Sequence, residues 1–269
     1  MMAPDFSDWG SPAAFASSVV DVTIASLPWA ALYAVCFFVS KFVGPLLFAH
    51  CAALLPDQQD YWAASVVSCL NCFVIVPMAW MACTELNLLS SDASFKVYSD
   101  LSTMCCHAMV GYTFYDLLPL LYHRKKWGGF AMYLVHHVAT IASWGVAAAT
   151  GYAHCVGVPV LLLEITGPFT NLRWFLHVAG YKNTTAYLVN GILMTVSFFV
   201  LRVVFNWWLF ITRYYLQRAA FLMQPAWLRW LYYFLYPTNL ALQLLWFKKI
   251  MDGVMKLLAG GDASSKKKK

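Results

Sequence analysis

The chain alternates long apolar runs with short polar gaps. Seven runs stand out, at about 27–55, 61–83, 101–122, 130–149, 156–177, 188–211 and 227–248. Several exceed about 18 apolar residues, the length at which a run reads as a membrane span. Within them polar and apolar positions do not alternate as they do in barrel strands, so the runs predict helices. Lys41 and Pro45 interrupt the first. The pattern predicts an all-α membrane protein of about seven transmembrane helices.

Composition agrees. Of 269 residues, 61% are hydrophobic and 11% charged. Soluble domains run near half apolar and a quarter charged, so lipid is the solvent for most of this chain. The net charge of +6 reads as topology. With the N-terminus outside and seven spans, the cytosolic side holds twelve basic residues: Arg124, Lys125, Lys126, Arg173, Lys182, Lys248, Lys249, Lys256 and Lys266 to Lys269. The outside holds four, Lys96, Arg213, Arg218 and Arg229. Basic residues concentrate on the cytosolic side of membrane proteins, which predicts a cytosolic C-terminus. No other feature points to nucleic acid, and the partners expected are membrane lipids. Oligomeric state is not legible.

The segments between the runs are short. Residues 1–26 are polar and acidic, with Asp5, Asp8 and Asp21, and residues 27–55 form the first span. The first forty residues contain no Lys or Arg. A cleaved signal opens with a basic region, so the first span is expected to remain as an anchor. Residues 251–269 read as a flexible tail ending in four lysines. Lys266 and Lys267 stand four and three places from the end, as in the dilysine signal that returns proteins to the endoplasmic reticulum. A polybasic contact with anionic lipid or a non-native scar accounts for the same residues.

Eight cysteines lie in or near the spans, including the pair Cys69 and Cys72 and the run Cys105, Cys106, His107. Such spacing suits zinc or redox chemistry in soluble proteins. In apolar helices cysteine serves as a small buried residue, and no metal site is assigned. Trp207, Trp208, Tyr214, Tyr215, Trp227, Trp230, Tyr232 and Tyr233 crowd the connection between the last two spans, as an aromatic belt at headgroup level does.

The candidate chemistry lies in ionisable residues inside spans, which are rare and face an interior or a partner. They are Asp116, the adjacent pair His136 and His137, Glu164 with Arg173 near the end of its span, and Arg202. Helical spacing aligns Tyr112, Asp116, Pro119 and His123. It also aligns His136, Thr140 and Ser143, then Glu164, Pro168 and Asn171, then Thr195 and Arg202. Four consecutive spans therefore carry polar stripes, best satisfied by facing one another as a packed seam or a lined cavity. Histidine serves as acid or base near neutral pH. Interhelical hydrogen bonds of about a kcal/mol or less explain the same residues structurally. Adjacent helical residues point about 100° apart, so at most one of the two histidines faces a ligand head-on. Gly167-Pro168 breaks the fifth helix in mid-span, because proline lacks an N–H and clashes one turn back. Polar groups around such breaks often line binding sites.

The strings HHVATIASW, EITGPFTNLRWFLHVAG, YLVNGILMTVSFFVLRV and LALQLLWFKKI resemble the TLC-domain family over about residues 60–250, and within it the TLC domain-containing protein 4 group. The resemblance implies a six-helix TLC bundle after one extra N-terminal helix, in the endoplasmic reticulum or connected membranes, with a role in lipid handling, sensing or membrane lipid homeostasis. Ceramide synthases, distant members, join an acyl-CoA to a sphingoid base. Their motif opens with paired histidines, matched by His136 and His137. Its later His-Asp pair and further Asp fall on Leu163, Glu164 and Gly167, so the motif is only partly present. If the chain is an acyltransferase, His136, His137 and Glu164 are its catalytic candidates and acyl-CoA its co-substrate. Asp116, Thr140, Asn171, Arg173 and Arg202 are the candidate lipid- or substrate-binding residues. No cofactor is expected.

Overall fold

A computed structural model describes residues 12–258. The chain forms α1 (Pro12–Leu47), a short α2 (Ala49–Ala52), α3 (Pro56–Glu85), α4 (Asp100–Tyr122) and α5 (Phe130–Thr150). A fifth long rod follows in three pieces: α6 (His154–Leu161), a 3-10 segment (Leu162–Thr166) and α7 (Gly167–Val178). The sixth joins α8 (Thr185–Ser197), a π-type segment (Phe198–Phe205), α9 (Asn206–Phe210) and a second π-type segment (Ile211–Leu216). Short α10 (Arg218–Leu222) leads to α11 (Ala226–Leu258). Among the described residues there is no strand, as the unbroken apolar runs predict.

Five of these seven rods are long and apolar enough to cross a membrane: Ser17–Leu47, Pro56–Glu85, Phe130–Thr150, His154–Val178 and Thr185–Leu216. Helices α4 and α11 match them in length, with 23 and 33 residues, but carry more polar side chains. Large apolar residues point outward from the bundle, among them Phe42, Phe73 and Phe234. That pattern suits lipid, where every backbone polar group must be paired within the helices.

Six rods form a ring. Helix α3 packs on α4, α4 on α5, α5 on α11, α11 on the sixth rod, α8 on α7, and α7 back on α3. Helix α1 lies outside, against α3 and α4. It starts within the segment expected to be polar and runs unbroken through Lys41 and Pro45. The reason is pairing: Lys41 Nζ lies 2.6 Å from Asp60 Oδ1 of α3. Tyr33 donates to Asn71 Oδ1 at 2.8 Å. At Gly111 of α4 the two helices come so close that a Cβ would collide with the Ser26 carbonyl and the Trp29 side chain.

One end of the ring is packed solid. Ile75, Cys83, Leu88, Phe95, Cys105, Cys106, Trp144 and Cys155 form its core with Tyr214, Phe221, Tyr232 and Tyr236. All eight cysteines are free thiols. Tyr214 and Tyr232, expected in the aromatic belt, are buried here, because Tyr214 stacks on Phe210 and packs on Phe221 and Tyr236. The Arg213 guanidinium is fully buried at this end. It donates to the carbonyls of Leu88 and Cys155 and to Gln217 Oε1, at 2.6, 3.2 and 2.9 Å. These bonds pin the α3–α4 loop to the sixth rod.

Candidate functional site

The other end of the ring is open. A cavity of about 600 Å³ enters beside Asp57, Lys126, Trp127 and Lys249. It reaches inward to Met109, Thr113, Glu164 and Arg202, and all six ring rods line it. Among the described residues, helix α1 contributes none to its lining. Tyr112, Asp116, His136, Glu164, Asn171 and Arg202 of the expected stripes face one another across it, whereas His123, Thr140, Ser143 and Thr195 do not line it.

Each stripe has a local cause. On α4, Tyr112 and Asp116 are one turn apart and share the inner face. Asp116 meets His137 of α5, with 2.9 Å between Oδ2 and Nε2. The other ring nitrogen of His137, Nδ1, lies 2.6 Å from the Tyr133 carbonyl and must donate to it, because a carbonyl only accepts. One proton is then shared between Nε2 and the Asp116 carboxyl, and the pair as a unit carries no net charge. His137 is buried, with both nitrogens engaged.

His136 differs. Its ring is half-buried and packs edge-on against Trp246 of α11, with 5.3 Å between centroids. It makes no hydrogen bond among the described residues. It faces the large cavity and also a small pocket of about 50 Å³ between α5, α6 and α11. Two adjacent positions on one helix thus have different environments, as their 100° offset requires.

The fifth and sixth rods supply the innermost charge pair. Gly167-Pro168 does interrupt the fifth rod, and the chain negotiates it with the tight 3-10 turns of Leu162–Thr166 before α7 begins. Glu164 and Thr166 stand in those turns. Arg202 stands opposite, in the π-type turns of Phe198–Phe205. Its Nη2 lies 3.0 Å from Glu164 Oε1, and its Nε donates to Thr166 Oγ1 at 2.6 Å. Its Nη1 reaches Gln243 Oε1 of α11 at 3.4 Å. A guanidinium in lipid is tolerated when it is paired and faces the interior, and this one meets both conditions.

The structure brings together His136, His137, Asp116, Glu164, Asn171 and Arg202 around one space. Asn171 also donates toward the Cys69 sulfur at 3.4 Å. Two expected residues stand apart. Thr140 lines only the small pocket behind His136. Arg173 lies outside the cavity, its guanidinium 4.1 Å from the centre of the Tyr187 ring, because two residues on from Asn171 is more than half a turn around the helix. Glu164 therefore pairs with Arg202 and not with Arg173. Thr166, Gln243, Trp246 and Lys249 also serve the site and are missing from the sequence reading. Gln243 had a visible signal, a lone amide in the apolar run LALQLLWF. Lys266 and Lys267 lie outside the described residues.

Fold and site together define a multi-pass α-helical membrane protein with a charged interior chamber. The TLC domain matches residues 61–252, and the chain belongs to the TLC-domain family. It is 31% identical to TLC domain-containing protein 4-B of Xenopus laevis over 54% of this chain and 55% of that one. It is 35% identical to human TLC domain-containing protein 4 over 35% of each. An uncharacterized TLC domain-containing protein of Schizosaccharomyces pombe is 22% identical over 88% of this chain and 80% of its own. The match thus spans about half the length, or less, of the vertebrate relatives named here. No solved structure matches the chain.

Proposed function

We propose that this chain is a lipid-handling protein of the endoplasmic-reticulum membrane, taking the polar end of a membrane lipid into its chamber and acting on membrane lipid composition. The supporting observation is His136. In a chamber where Asp116, His137, Glu164 and Arg202 satisfy one another, its ring alone of these presents free nitrogens to a cavity wide enough for a headgroup. In an N-out, C-in topology the chamber opens to the cytosol.

A second reading is acyl-CoA-dependent acyl transfer. His136 would take the proton from an amine or hydroxyl as it attacks the thioester carbonyl, and pass it to the departing CoA thiolate. The free ring favours this reading. The substitution of Leu163, Glu164 and Gly167 for the acid-bearing half of the ceramide-synthase motif weighs against a sphingoid substrate.

The test is lipidomics on cells lacking the protein, restored at matched abundance with wild type, His136→Ala or Lys248→Gln. Loss of one lipid class with His136→Ala alone supports the proposal and names the lipid. Equal restoration by all three removes it.

A further inference from the structure

The charges that line the chamber do not balance. Its carboxylates are Asp57, Asp116 and Glu164, and each has a partner. Asp57 meets Lys126 at 3.2 Å, Asp116 meets His137 at 2.9 Å and Glu164 meets Arg202 at 3.0 Å. One cation is left over. Lys249 of α11 lines the same cavity, meets no carboxylate among the described residues and rests its ammonium 3.3 Å from the Met132 sulfur. A thioether is a weak acceptor, so this contact does not neutralise the charge. The neighbouring Lys248 is different, since it is paired with Asp252 at 2.7 Å.

The position of Lys249 relative to His136 is fixed by two helices at once. On α11, Lys249 is three residues beyond Trp246, whose ring packs on His136. On α5, its contact Met132 is four residues before His136. Both routes give a separation along the bundle of about one helical turn, roughly 5 Å. Among its described cations and imidazoles, the chamber therefore leaves two without an oxygen or nitrogen partner, a cation at the mouth and an imidazole one turn deeper.

Resting on the lipid-handling reading above, we infer that the occupant is a glycerophospholipid, with its phosphate against Lys249 and its glycerol oxygens at His136. The short glycerol backbone sets phosphate and ester oxygens about this far apart. The pantetheine arm of an acyl-CoA holds its thioester much farther from the nearest phosphate. A sphingoid base presents an ammonium and is repelled by Lys249. Diacylglycerol leaves Lys249 without a partner. The aromatic rim of Trp127, Trp174 and Trp246 gives the lipid a place at headgroup level, where such rings settle.

The experiment uses the purified full chain in detergent. Saturable binding is measured for dihexanoyl phosphatidylglycerol, dihexanoylglycerol, sphingosine and oleoyl-CoA. Wild type is compared with Lys249→Gln and with Lys248→Gln, and melting confirms that both variants fold. Phosphatidylglycerol is expected to bind wild type and Lys248→Gln alike, and to bind Lys249→Gln about tenfold more weakly, the scale of one charge-assisted contact. Dihexanoylglycerol is expected to bind weakly and without regard to Lys249. Equal phosphatidylglycerol affinity across the three proteins overturns the inference. Binding of oleoyl-CoA or sphingosine in preference to phosphatidylglycerol also overturns it, while leaving the lipid chamber standing. If wild type binds none of the four saturably, the chamber reading itself falls.

Discussion

His137 and Asp116 hold each other at 2.9 Å across the contact between α4 and α5. That bond decides which of the two adjacent histidines is left for a ligand. With Tyr133 on its other side, His137 has no free nitrogen. His136 is turned toward Trp246 and the cavity.

The two histidines are therefore expected to separate by experiment. His137→Ala or Asp116→Ala leaves a polar partner unsatisfied and is expected to cost about 1–3 kcal/mol, seen as a lower melting temperature in detergent. His136→Ala removes no hydrogen bond and is expected to melt close to wild type. A His136→Ala protein that melts as low as His137→Ala would show that the free ring is structural.

Glu164 and Arg202 form the deepest pair in the chamber, 3.0 Å apart. Each single neutral substitution, Glu164→Gln or Arg202→Gln, is expected to destabilise the protein. The double substitution is expected to cost less than the sum, by a coupling of about 0.5–3 kcal/mol, as for residues in one network. A double-mutant cycle on thermal or denaturant unfolding reads this directly, and simple additivity contradicts the pairing.

Arg213 anchors the closed end through two backbone carbonyls and Gln217. Lysine has one ammonium and no planar fork, so Arg213→Lys cannot meet all three acceptors. The variant is expected to expose the loop between Glu85 and Asp100, seen as faster limited proteolysis there, with lower abundance in cells. Unchanged cleavage would show that these carbonyls are satisfied without the guanidinium.

Helix α1 lies against α4 with Gly111 at the crossing, where a side chain has no room. Small residues permit such close approach between membrane helices. Gly111→Ala is expected to push α1 off the ring, lowering the melting temperature by several degrees, the effect of about 1–3 kcal/mol in an overpacked contact. The chamber is built from the other six rods, so ligand binding is expected to survive. Loss of binding without loss of stability would place α1 in the site.

Much of this was legible in the sequence because lipid imposes simple rules. Apolar runs between polar gaps gave the helices, and charged residues inside runs gave the chamber. Asp116, His137, Glu164 and Arg202 were visible because an ionisable group in lipid needs a reason to be there. What stayed hidden depended on rotation and partner choice. Arg173 and Arg202 look equally available to Glu164 along the chain, and only the turn of α7 removes the first. Thr140 shares the stripe of His136, yet opens on a different pocket. Lys249 reads as one lysine among a basic cluster, and its lack of a carboxylate partner among the described residues is a property of the folded ring. Tyr214 and Tyr232 look like belt residues until the closed end packs around them.

The tight turns at Glu164 and the wide turns at Arg202 lie on neighbouring walls, at the same depth. One helix is overwound and the other underwound where they meet, so the two walls fall out of step over a short stretch. Arg202 spans that mismatch to Glu164 and Thr166, and the pair closes the inner end of the chamber like a latch. Rewinding either stretch would carry Glu164 and Arg202 out of register and unlatch the bottom of the vessel.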